Sequence, residues 1–294
     1  MLVFLFPKKW VVRLNTIDER MIRRTLASTD AIKLSDQLYF VNGKIIKSLN
    51  RPIDSINKLS SEERAVAMSR LLTDEEKRDM LKKFELIGDI DLDGVLTPID
   101  LIVDGKKLER YSMNFFPYSL NVAEYFRKRK EVKISDLNSI FIKSAKILKG
   151  VHDKRLIYQD VSNDNILVSN RTGEVAFCDF ESCAYKSING KKIIEGPFYS
   201  RDLSDYIEDY KDDYLSPSTN NDRLSLLLAY LRIIFGDNIP NISEYKYDEL
   251  SDKIHSLREL KNIIEALKER DAVIPEIPYL DDVLEKDESY IITR

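Results

Sequence analysis

The sequence predicts an α+β chain with a strand-rich front and a mainly helical rear. Three features predict it. Asn42-Gly43 stands between the apolar runs 37–41 and 44–47, and Asn-Gly is the preferred two-residue hairpin turn because both positions need positive φ. Thr73-Asp74-Glu75-Glu76 carries the capping-box signature of a helix start. Residues 222–235 are so apolar that they read as a buried helix. The division between the two parts falls near 114–119, giving 1–114 and 115–294.

Each element follows from its own pattern. Residues 11–14 are a candidate strand, and the Asn-Gly hairpin follows. Residues 60–88 read as helix, with Met80, Leu81, Phe84 and Ile87 on one buried face. Strands over 95–103 and 108–113 flank Asp104-Gly105. A short helix covers 121–130. A longer one covers 135–151, starting at a Ser135 cap and ending at Lys149-Gly150. Two short apolar strands, 165–168 and 174–178, are joined by a turn over 170–173. Residues 247–270 are amphipathic.

Composition excludes several function classes. The chain is 43% hydrophobic and 33% charged over 294 residues, enough apolar material for a core. The apolar stretch 2–6 is cut by Pro7, Lys8 and Lys9, too short for a secretory leader or a membrane span. Two histidines, His152 and His255, argue against a zinc site. Cys178 and Cys183 imply no disulfide framework, so a reducing cytoplasm is expected. Net charge is −4, of which residues 271–294 contribute −5, while residues 1–50 carry +5. These asymmetries read as solvated surface. No basic and aromatic face of the kind nucleic-acid binders use is present, and no membrane partner is expected. Asp89-Ile90-Asp91-Leu92-Asp93-Gly94 matches half of an EF-hand loop. Its twelfth position is Asp100 and Pro98 opposes an exiting helix, so a turn before a strand is expected instead. The abundance of lysine, isoleucine and asparagine suggests an AT-rich genome, bacterial or phage.

The chemistry concentrates in residues 156–181. Tyr158-Gln159-Asp160 is followed five residues after the aspartate by Asn165, then by a short apolar hairpin that ends in Asp179-Phe180. An amphipathic helix ending near His152 precedes it. A hairpin whose Asn and Asp residues only cap turns is the competing reading.

This segment resembles the catalytic loop and metal-binding segment of protein kinases, in which an Asp, an Asn five residues on and an Asp-Phe-Gly recur. The resemblance implies a two-lobed kinase-like fold, with a small β-rich N-lobe over 1–114 and a mainly helical C-lobe over 115–294. It covers roughly 37–236, strongly in the rear half. It implies ATP and Mg2+ as cofactors. Asp160 would accept or orient an acceptor hydroxyl, and Asn165 and Asp179 would ligate magnesium. Met113 and Asn114 would lie near the adenine. Asp222, at the start of the apolar helix, would anchor the catalytic-loop backbone. Lys47, in Ile45-Ile46-Lys47, would pair the phosphates, with Lys44 or Lys33 as rivals. Its helix partner would be Glu76, with Glu63 and Glu75 as rivals.

The departures bear on function. The first glycine is Gly43, so no glycine loop can cover phosphates, and a Cβ hinders close backbone approach. Tyr158-Gln159 replaces His-Arg, which removes the arginine that would answer a phosphorylated loop. Ser162 stands where serine/threonine kinases place a lysine, Glu181 replaces a glycine, and Tyr214-Leu215-Ser216-Pro217 replaces Ala-Pro-Glu. The acid-rich stretch 201–213 would suit a basic substrate or simply be solvated. The resemblance therefore implies a phosphotransferase acting on a protein hydroxyl. A small-molecule acceptor, as in aminoglycoside-phosphotransferase-like enzymes, remains open. So does a pseudokinase that binds a partner or senses nucleotide.

Overall fold

The computed structural model describes residues 15–18, 31–35, 37–50, 56–57, 59–60, 63–64, 68, 71–87, 92–186, 193–194, 217–236, 244–268, 274–284 and 289–293. The chain divides into two compact units, Met1–Asp91 with Thr97–Phe115, and Leu92–Leu96 with Phe116–Arg294. The expected strand over 11–14 and the acid-rich stretch 201–213 lie outside the described residues, as does most of the Tyr214–Pro217 motif.

The first unit is a six-stranded sheet with one long described helix. Its elements are β1 (Asn15–Asp18), β2 (Ile32–Lys33), β3 (Leu38–Val41), β4 (Lys44–Ser48), α1 (Asp74–Ile87), β5 (Asp100–Asp104) and β6 (Lys107–Asn114). The order is β1-β5-β6-β4-β3-β2, with β1 parallel to β5 and the other pairs antiparallel. Asn42 and Gly43 take φ 49° and 80°, so β3 and β4 pair through the turn that Asn-Gly favours. Phe84 of α1 meets Tyr111 of β6 edge to face at 5.7 Å. Both are buried together with Met80, and each such side chain contributes about 1.5–3 kcal/mol. Leu81 is only half-buried.

Two expectations are corrected here. Residues 71–73 interrupt the helix expected over 60–88. The cause is Asn50, whose side chain takes both backbone groups of Leu72, donating to its carbonyl at 3.1 Å and accepting its N–H at 2.8 Å. The strand expected over 95–103 begins only at Asp100, because Val95 and Leu96 belong to the second unit, where they pair with Phe177.

The second unit is mainly helical. It comprises β7 (Ser119–Asn121), α2 (Val122–Arg127), β8 (Glu131–Lys133), α3 (Ile134–Asp153), β9 (Leu156–Ile157), β10 (Ile166–Ser169), β11 (Val175–Phe177), β12 (Ala184–Lys186) and β13 (Ile193–Ile194). α4 (Thr219–Phe235), α5 (Glu244–Ser251), α6 (His255–Glu259), α7 (Lys261–Lys268) and β14 (Ile291–Thr293) follow. Its small sheets run β11-β10-β7, β13-β12-β9 and β14-β8. α3 starts one residue before Ser135 without a side-chain cap and runs through Gly150 to Asp153. Burial of Ile134, Leu148 and Val151 outweighs the local end signals. α4 is capped by Ser218, which accepts the Asn221 N–H, and ends where Gly236 adopts φ 77°. The amphipathic stretch 247–270 divides among three short helices. α3 and α4 pack through Phe141 and Tyr230 at 5.3 Å. Buried Asn138 ties the Tyr230 hydroxyl, at 2.8 Å, to Ser256. Among the described residues, no helix is long and apolar enough to cross a membrane.

Leu92–Leu96 docks against the strand that leads to Asp179. The Phe177 N–H donates to the Gly94 carbonyl at 2.7 Å, and the Leu96 N–H donates to the Phe177 carbonyl at 2.8 Å. Gly94 has φ 77°, and a Cβ there would meet Ile147 of α3 at 2.6 Å. Gly94→Ala is therefore expected to destabilise the chain by about 1–3 kcal/mol through overcrowding alone. A urea-unfolding midpoint equal to wild type would contradict this close contact.

Candidate active site

The loop between β9 and β10 carries the first predicted catalytic residue, and its backbone is bent sharply just before it. Gln159 takes φ 65°, and the Asp160 N–H donates back to the Tyr158 carbonyl at 2.9 Å. This three-residue turn with positive φ at its centre is strained for a non-glycine residue. A buried carboxylate holds it. Asp222 Oδ2 accepts the Tyr158 N–H at 2.6 Å, and Oδ1 accepts the Gln159 N–H at 2.8 Å. Asp222 is 1% exposed and also meets His152 Nε2 at 2.9 Å. The backbone-anchoring role expected of Asp222 is thus visible in its contacts.

Asn165 lies at the other end of this loop. Its Nδ2 donates to the Asp160 carbonyl at 2.9 Å and to Asp160 Oδ2 at 2.8 Å. Two acceptors on one side fix the amide orientation and turn Oδ1, the atom able to ligate a hard cation, away from Asp160. A turn precedes it, with the Ser162 carbonyl accepting from Asn165 and Ile166. Asn163 Nδ2 ties the loop to α4 through the Ala229 carbonyl at 3.2 Å.

The β10–β11 hairpin brings the third residue close. Ile166 faces Phe177 in the ladder, and the Cys178 N–H donates to the Asn165 carbonyl at 3.0 Å. Asp179 is the next residue, in the left-handed region at φ 65°, ψ 47°, which a short polar side chain tolerates. The backbone therefore brings Asn165 and the Asp179 segment together across the mouth of one hairpin. Tyr158 supports both loops. Its ring meets Phe177 at 5.1 Å, and its hydroxyl donates to the Cys178 carbonyl. Complete burial pushes this phenol well above its ordinary pKa, so it stays a donor. After Asp179 a turn over Phe180–Ser182 buries Glu181.

In the first unit, β4 and β6 carry the predicted lysine and the two residues expected near the adenine. Lys47 lies on β4 opposite Tyr111, Met113 is buried opposite Ile45, and Asn114 is exposed opposite Lys44. Lys44 pairs with Asp100 at 2.7 Å. The carboxylate expected to answer Lys47 is engaged by its own helix cap. Glu76 Oε2 accepts the Thr73 N–H at 2.6 Å and its hydroxyl at 2.8 Å, while Thr73 Oγ1 accepts the Glu76 N–H. Glu63 makes the same arrangement with Ser60, and Glu75 is exposed. Ion pairs of both polarities join α1 to β6: Lys77 with Glu109 at 2.8 Å and Asp74 with Lys107 at 3.1 Å.

The hydrogen bonds from Thr73 lower the Glu76 pKa. The cap therefore stabilises the fold above the unfolded carboxylate pKa and is lost as pH falls through the lowered folded value. Glu76→Ala is expected to cost about 1 kcal/mol of stability. If the cap is the whole role of this side chain, any nucleotide-dependent turnover stays within about twofold of wild type. A large activity loss with unchanged stability would assign Glu76 to the catalytic ion pair instead.

Sequence reading alone missed His152, Tyr158 and Asn163 as parts of this site. His152 marked only a helix end, and its two partners lie 70 and 127 residues away.

No family model matches the chain. A stretch of 79 residues is 32% identical to "Probable serine/threonine-protein kinase glkA" of Dictyostelium discoideum, covering 27% of this chain and 16% of that relative. The match supports a kinase-like relationship over part of the chain, and the mixed α+β architecture is compatible with it. So small a share of the relative carries no whole-protein activity across. The relative is eukaryotic, so the match lends no support to a bacterial or phage source.

Proposed function

We propose that the chain is an ATP- and Mg2+-dependent phosphotransferase acting on a hydroxyl acceptor, with a protein hydroxyl as the first acceptor class. The observation that carries this reading is the Asp160–Asn165 side-chain contact on a strained loop pinned by Asp222, with Asp179 one residue beyond the Asn165–Cys178 bond. Asp160 offers a carboxylate to orient an acceptor hydroxyl and take its proton. Asn165 Oδ1 and the Asp179 carboxylate offer two hard oxygens. Among the described residues, no three His, Cys, Asp or Glu side chains form a metal-holding group. A magnesium ion is usually held by one or two protein ligands together with substrate phosphates and water. Held by Asn165 and Asp179, such an ion would supply positive charge to offset the charge developing on the transferred phosphoryl group.

Incubation with Mg2+ and ATP labelled at the γ-phosphate tests the reading. Label is expected on a protein hydroxyl. Label on small-molecule hydroxyls alone would move the acceptor class, and no transfer at all would contradict the proposal.

One observation favours a second reading, a partner-binding module without transfer. The turn from β2 to β3 uses its own backbone donors. Leu34 and Ser35 N–H groups bond the Leu38 carbonyl at 2.9 and 3.1 Å, and Ser35 Oγ accepts from Gln37 and Leu38. A turn closed on itself in this way has fewer N–H groups to offer a phosphate. Absence of both transfer and thermal stabilisation by ATP with Mg2+ would support this reading.

A further inference from the structure

The segment 274–284 is strapped across α3 and α4. Asn220 of α4 donates to the Pro275 carbonyl at 3.0 Å and accepts the Ile277 N–H at 2.8 Å. Arg223 pairs with Glu276, and Ile277, Leu280 and Leu284 are buried. At its centre, the Tyr279 ring lies under the Arg223 guanidinium at 5.1 Å and the Lys149 ammonium at 5.5 Å. Its hydroxyl meets His152 Nδ1 at 2.7 Å.

The far side of that imidazole meets Asp222, the carboxylate that fixes the bend before Asp160. A neutral imidazole has one donor and one acceptor nitrogen. With the imidazole neutral, Nε2 donates to the accepting Asp222 carboxylate and Nδ1 accepts from Tyr279. Burial raises the Tyr279 pKa, which keeps that hydroxyl a donor. The bonds then run in one direction, from Tyr279 to His152 to Asp222, where the backbone N–H groups of the loop converge.

We infer that Tyr279 is a positioning residue: by fixing the tautomer of His152 it sets the Asp222 carboxylate, and through it the loop carrying Asp160. The catalytic consequence rests on the phosphotransferase reading above; the relay itself does not. The segment is thereby a working part of the site and not an acidic appendage.

The test compares the full chain with Tyr279→Phe, His152→Gln and the double variant. Gln can place an amide N–H near the position of Nε2 without needing a donor from Tyr279. The wild-type imidazole is expected to show the Nε2-protonated tautomer in its nitrogen NMR shifts, and Tyr279→Phe should lose that single form and move the Asp160 amide signal. Tyr279→Phe should lower kcat about tenfold with the nucleotide KM little changed. The same substitution in the His152→Gln background should have almost no effect on kcat. Unchanged imidazole and Asp160 signals in Tyr279→Phe, or an equal loss in both backgrounds, would overturn the inference. An inactive wild type would count against phosphoryl transfer, while the imidazole and Asp160 signals still decide the relay.

Discussion

Asp160→Asn is expected to lower phosphoryl transfer by about a thousandfold, within the range that a positioned general base contributes, while the fold stays intact. The substitution is nearly isosteric, and the new carbonyl oxygen can still accept from Asn165, as Asp160 Oδ2 does at 2.8 Å. What disappears is the negative charge and the ability to take a proton. Asp160 is half-buried, so little packing is lost with it. Steady-state transfer rates beside thermal unfolding of the same sample separate the two effects. Full activity in this variant would remove the role assigned to Asp160.

The second large effect is expected at Asp222, and it reaches stability as well as activity. Asp222→Ala removes the acceptor of two backbone N–H groups and of a buried histidine at once. Each buried donor left without its acceptor costs about 1–3 kcal/mol, because the groups left behind cannot reach water. Gln159 would then lose what holds it at φ 65°, and the loop would relax toward an unstrained conformation. Asp160 would swing with it. Urea unfolding should show the stability loss, and any folded fraction should transfer phosphate far more slowly per molecule than wild type. A stability equal to wild type would mean that the loop keeps its shape without Asp222.

The features legible in the sequence were those whose cause is local. Asn42-Gly43 fixes its hairpin through the φ values of two residues. Thr73 and Glu76 close a cap three residues apart. The five-residue step from Asp160 to Asn165 is itself the contact. Elements set by distant partners were not legible. Asn50 breaks the helix expected over 60–88 from 22 residues away. Val95 and Leu96 leave their expected strand because Phe177 pairs with them. Glu76 was legible as both a cap and a lysine partner, and sequence spacing could not choose between them. His152 had no local signal, since Asp222 and Tyr279 meet it only through packing of α3 and α4 with segment 274–284.

Paramagnetic broadening by Mn2+ in the presence of ATP tests the central claim most directly, since it reports which groups sit beside the metal without requiring turnover. The Asn165 side-chain amide and the Asp179 backbone amide should broaden first, and Asp179→Asn should weaken the effect. If those signals stay sharp while ATP and Mn2+ broaden another part of the chain, the assigned metal ligands are wrong.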